Sequence, residues 1–189
     1  MNPTRPVLAL AAALALSACA PGQPFIPDQV QLPAGALNSG MDPDVTAVNL
    51  AQYAFADSGR TYGRPVEGAR ACIAMLYIAG ALYQSPRWAN ISPITKEQLL
   101  QGRDEVRTTL GVPPGLPSQP AVDALIDAAN ALSANDRPAA IAALTGPAFP
   151  AGGEATLARL ANLPYMRMAN VSTQRAANQL FDSSTDERL

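Results

Sequence analysis

The sequence predicts an all-α domain, and three observations carry the prediction. From Met41 onward alanine recurs along the whole chain, runs of β-branched residues are missing, and segments of helical length are bracketed by helix-start and helix-stop residues. The stretch from Met41 to Leu189 is the size of one domain and long enough to bury a substantial core. The expected architecture is a small bundle of about six to seven helices packed around one apolar helix at residues 65–84, within a domain spanning 42–182.

Each helix can be justified from its ends. Asp42, Pro43 and Asp44 supply an N-cap, a first helical residue and a first-turn acid, and open a helix through Val45, Val48, Tyr53 and Phe55 that stops near Ser58 and Gly59. The second helix opens at Pro65 and runs to Gln84, ahead of Pro86. It has no charged residue between Arg70 and Arg87, so it is apolar all round. Its run from Ala71 to Tyr83 is shorter than the roughly twenty residues needed to cross a bilayer, which predicts a central core helix instead of a membrane span. Gly68, Ala71, Ala79 and Gly80 would let neighbouring helices approach it closely.

The third helix starts around Ser92 to Thr95, with Gln98 placed to complete a capping box, and ends at Gly111 before Pro113 and Pro114. Beyond Pro117 and Pro120, Val122, Leu125, Ile126, Ala129 and Leu132 recur at three- and four-residue steps and form one helical stripe. Asp136 and Pro138 begin a short helix to Leu144, stopped by Gly146. Glu154 to Leu163 and Tyr165 to Phe181 supply the last two, divided at Pro164. The polar terminal segment 183–189 is expected to fray.

The N-terminus has a different character. Arg5 precedes an apolar run from Val7 to Leu16, and Leu16, Ser17 and Ala18 lead into Cys19. One basic residue, a short apolar core and a small-residue cut site are the parts of a secretory signal peptide. With its cysteine, the segment resembles the lipobox of bacterial lipoproteins. The resemblance covers only this segment. It implies that residues 1–18 are removed, that Cys19 is acylated and becomes the membrane anchor, and that the protein is held in the cell envelope. Ala20, in place of an aspartate, implies release to the periplasmic face of the outer membrane. Stable anchoring needs more than one acyl chain, and the lipoprotein class carries two or three.

Residues 19–41 include Pro21, Gly22, Pro24, Pro27, Pro33, Gly35 and Gly40, which predicts an extended tether behind the lipidated cysteine. At about 3.1 Å per residue it could hold the domain up to roughly 60 Å from the membrane. Phe25, Ile26 and Val30 leave a second possibility open, in which the segment docks on the domain as a strap.

Residue types restrict the chemistry. The chain has no histidine, which excludes Ser–His and Cys–His nucleophile activation, and zinc or copper would have to be held by carboxylates and one thiol. With Cys19 acylated, Cys72 is the remaining thiol, and its neighbours Ala71, Ile73 and Met75 predict a buried, inert side chain. Glu67 is the best candidate for a carboxylate-based reaction, but its place in a first turn beside Arg70 predicts a structural role. Asp123 and Asp127 lie one turn apart on the exposed side of a stripe and predict a solvated face. No metal or cofactor is expected. The sequons at Asn90 and Asn170 carry no weight in a bacterial lipoprotein. A net charge of −2 with scattered arginines argues against nucleic acid and against a polybasic membrane patch.

Two groups flank the central helix as candidate binding residues. Tyr83, Arg87, Trp88 and Asn90 form the first and hold the single tryptophan; it could be an interface anchor or simply plug the end of the core. Arg60, Tyr62 and Arg64 form the second, suited to a carboxylate, a phosphate or a peptidoglycan-like partner. A helix of about twenty residues separates the groups by roughly 30 Å, so they are not expected to share a pocket. The leading expectation is a non-catalytic helical module, not an enzyme, that binds an envelope protein or peptidoglycan. The alternatives are a small-molecule or lipid carrier with a pocket at Ile73, Met75, Leu76 and Tyr77, and a carboxylate-based enzyme.

Overall fold

The apolar stretch at the centre of the sequence is also the centre of the structure. A computed structural model describes residues 28–37 and 42–186, with side-chain surroundings through Leu180. In it α2 (Pro65–Gln84) is buried continuously from Ala71 to Leu76. It is the one helix among the described residues long and apolar enough to cross a membrane, and its burial marks it as a core helix.

Around α2 stand α1 (Pro43–Ala56), α3 (Pro93–Leu110), α4 (Ser118–Ser133) and α6 (Gly153–Ala161), each packed against it. α5 (Arg137–Ala143) fills the space between α4 and α6, and α7 (Arg167–Asp186) lies across α1 and α3. The fold is all-α, with seven helices and no β-strand among the described residues. The stripe on α4 packs with Val122, Leu125, Ile126 and Ala129 buried and Leu132 half-buried at its end.

The helix ends follow the capping chemistry of their residues. Asp42 Oδ1 accepts from the N–H groups of Asp44 and Val45 at 3.0 and 3.2 Å, and Asp136 Oδ1 accepts from that of Ala139 at 3.0 Å. Gly111 closes α3 in the left-handed region, at φ +77°. At three helix starts the structure differs from the sequence expectation, and α6 ends at Ala161, short of Leu163. Ser92 caps α3, accepting from Thr95 N at 3.2 Å, so the N3 position falls on Thr95 and Gln98 is too far along to complete a capping box. Ser92 N donates to Gln179 on α7 at 3.0 Å, and Gln98 accepts from Arg175 at 2.6 Å. α4 starts at Ser118 and carries Pro120 within its first turn, where a missing N–H costs no intrahelical bond.

The third difference is at α7, which starts at Arg167 instead of Tyr165 and continues to Asp186, past Phe181 and into the segment expected to fray. Its cap comes from another helix. Glu105 on α3 directs Oε2 at the N–H groups of Met168 and Ala169, at 2.8 and 3.0 Å. The buried face of α7 includes Ser172 and Thr173, whose hydroxyls donate back to the carbonyl of Ala169.

Close approach is built on missing side chains. Gly68 on α2 abuts α6 so tightly that a Cβ would fall 2.1 Å from the carbonyl oxygen of Leu160. At Gly80, on the same helix, the close neighbour is the segment ahead of α1. Asp28 O would lie 2.7 Å from a Cβ there. Residues 28–37, which fall within the expected tether, therefore rest on the domain, with Val30 and Leu37 buried. The signal peptide, Cys19, Phe25 and Ile26 lie outside the described residues.

Candidate functional site

At and beside the turn between α1 and α2, Tyr53, Tyr62 and Arg64 are exposed and Arg60 is half-buried. Asp57 accepts from Gly59 N at 2.9 Å and starts a single 3-10 turn, Ser58–Arg60, that carries Arg60 back over α1. Its guanidinium carbon sits 4.1 Å from the centre of the Tyr53 ring, and Nη1 donates to the carbonyl of Tyr53 at 2.6 Å. Arg60 and Tyr53 thus hold each other in place. Tyr62 is 71% exposed and Tyr53 62%, unusual values for such large rings in a domain with so much buried surface.

The turn itself is fixed. Gly63 takes φ +69° and donates its N–H to the carbonyl of Ala161 at 2.8 Å, which ties the loop to the end of α6. Tyr165, 57% exposed, lies just beyond Ala161 in the link to α7. Arg64 is exposed, and no carboxylate pairs with it among the described residues. Leu50, Tyr53, Arg60, Arg64 and Glu67 line a shallow hollow of about 200 Å³ here. Of the residues the sequence singled out here, Arg60 and Arg64 line this hollow together with Tyr53, while Tyr62 is exposed on the same turn outside its lining. Sequence spacing placed Tyr53 on the first helix but gave no sign of its stacking.

The group at the other end of α2 is bound up internally. Trp88 is 7% exposed and donates from Nε1 to Asp44 Oδ2 at 2.7 Å. Tyr77 Oη donates to the other oxygen of the same carboxylate at 2.6 Å. Arg87 stacks over Trp88 at 4.4 Å and bonds to Asp42. Burial works to raise the Asp42 carboxyl, but Arg87 and the N–H groups of Val45 and Asp44 outweigh it and hold the group below its ordinary range. Tyr83 donates to Glu97 at 3.1 Å and Asn90 is exposed. Trp88 thus closes the end of the core, with its polar edge satisfied by Asp44.

The catalytic candidates fall in structural settings. Cys72 is fully buried, and burial pushes its thiol up to about 12. Glu67 faces Arg70 at 3.3 Å within the first turn of α2. Asp123 and Asp127 are exposed, with Asp123 accepting from Gln119 at 2.7 Å. Ile73, Met75 and Leu76 are fully buried, while Tyr77 lines an open cleft of about 370 Å³ with Gln29, Gln84 and Ser85. A larger cleft of about 580 Å³ lies between α3 and the 112–117 loop, where Arg107, Asp28 and Pro114 are among its walls. Arg107 is held there by Ser118 Oγ at 2.8 Å and the carbonyl of Pro113 at 2.9 Å.

The chain matches none of the protein-family models, curated proteins or solved structures with which it was compared.

Proposed function

We propose that this chain is a lipid-anchored protein of the bacterial cell envelope, whose helical domain is a non-catalytic module that meets an envelope protein or the cell wall. The anchor rests on Arg5, the apolar run and Leu16-Ser17-Ala18-Cys19, and Ala20 after the cysteine supports the periplasmic face of the outer membrane as its place. The observation that supports the binding role best is the turn between α1 and α2. There Arg60 is pre-set against Tyr53 while Tyr62 and Arg64 stand in solvent. Rings and guanidinium groups ordered in advance lose little entropy on binding, and they are the residue types that dominate interfaces. An anionic partner suits the two arginines.

Co-sedimentation with insoluble peptidoglycan, using the lipidated full-length protein in detergent, tests this. Binding is expected, with Tyr62→Ala and Arg64→Glu each weakening it about tenfold, the size of a contact worth some 1.4 kcal/mol. Lys96→Glu, the same charge change on α3, should leave it unaltered. Equal binding by all four proteins would refute the assignment of the surface.

A further inference from the structure

The segment ahead of α1 is fastened to the domain far from Tyr62. Asp28 Oδ2 accepts from Ser118 N, at the start of α4, at 2.6 Å and lies 3.9 Å from Arg107 Nη1. Gln31 and Gln119 exchange two hydrogen bonds, from Gln31 N at 2.7 Å and back to Gln31 O at 3.1 Å. Gln29 bonds to Gln84, and Val30 is buried. Gly80 supplies the notch over which the backbone of Asp28 and Gln29 passes.

Two lengths follow from this docking. Gly80 lies fifteen residues along α2 from Pro65. At 1.5 Å per residue, the strap therefore enters about 22 Å along the helix axis from the turn that holds Arg60, Tyr62 and Arg64. Asp28 is nine residues from Cys19, so the chain between them spans at most about 30 Å. A tether running free to the start of α1 would have 24 residues in place of nine, so docking shortens the reach to well under half.

We infer that the docked strap turns the domain so that its Arg60–Tyr62–Arg64 end faces away from the bilayer holding Cys19, toward a carboxylate-bearing glycan–peptide polymer beyond it. The inference rests on the lipid-anchor reading above and adds the orientation and the class of partner. Guanidinium groups pair with carboxylates, and exposed tyrosine rings offer flat apolar faces to sugars. The headgroups of the anchoring leaflet, also anionic, lie at the strap end, where Arg107 is already occupied by Ser118, Pro113 and Asp28.

Orientation can be read with a fluorophore on single added cysteines in the acylated full-length protein, bound to phosphatidylcholine vesicles that carry a headgroup quencher. Buried Cys72 leaves the added thiol as the one that labels. Gly115 shares the cleft with Asp28 and has open space around a new side chain, so Gly115→Cys reports the strap end. Tyr62→Cys reports the far end. Quenching is expected to be several-fold stronger at position 115, and Gly80→Ala or Asp28→Ala, which release the strap by different means, should bring the two probes together. Equal quenching with the strap intact, or stronger quenching at position 62, would overturn the inference. Intact mass lacking the acyl chains would remove the anchor and the orientation together. Peptidoglycan sedimentation in detergent reads the surface separately, and peptidoglycan binding weakened about tenfold by Tyr62→Ala but unaffected by Gly80→Ala is the result expected there. Binding to anionic vesicles in place of the polymer would refute the choice of partner.

Discussion

Asp44 takes on more than its sequence position suggests. As a first-turn acid it was legible, because an aspartate two residues after a capping aspartate suits a helix N-terminus. Its carboxylate also accepts from both Tyr77 and Trp88, residues 33 and 44 positions away, and no local pattern encodes that. Burial first, and the bond to Asp44 second, raise the Tyr77 hydroxyl above its ordinary range, so the fold holds it neutral. An unfolded tyrosine ionises near pH 10, so this contribution is complete below about pH 10 and is lost as pH climbs toward the raised folded value. Urea titrations should therefore show stability falling above about pH 10, with Tyr77→Phe falling less steeply. Parallel slopes for the two proteins would show that Tyr77 is not held this way.

At the scale of elements, the sequence reading held for most helix ends that carry their own signals, the capping box at Gln98 being the exception. The apolar run of α2, the caps at Asp42 and Asp136, and the αL glycine at Gly111 are local chemistry, so they could be read before any packing was known. The start of α7 could not, because its cap is Glu105 from α3, 63 residues from Met168. The role of Gly68 was legible as a small residue, but the identity of its neighbour was not. With the Leu160 carbonyl 2.1 Å from an added Cβ, Gly68→Ala should force α2 and α6 apart and cost on the order of 1–3 kcal/mol or more, despite alanine's higher helix propensity. Gly115→Ala, in open space, should change stability by less than about 0.5 kcal/mol. Chemical denaturation of the two variants side by side checks both, and equal stabilities would mean that the α2–α6 contact is looser than described.

For the whole molecule, the decisive feature is that its two ends differ. One end of α2 is closed by Trp88 and Asp44 and carries the docked strap, so its polar groups are largely engaged with one another. The other end leaves Tyr53 and Tyr62 standing in solvent beside two arginines. The sequence marked both groups as candidates because Trp, Tyr and Arg look alike as letters whether they are satisfied inside a protein or waiting for a partner. Only the position of Asp44, brought in from α1, separates the two cases. The strap was foreseen as an alternative at Val30, yet its attachment at Ser118 and Gln119 needed the fold.

The most direct measurement is a photo-crosslink made in intact cells, with a photoreactive phenylalanine analogue placed at position 62 and, separately, at position 83. The surface assignment predicts a discrete adduct, to wall fragments or to one envelope protein, from position 62 and none from position 83. Adducts from position 83 alone, or none from either, would contradict it.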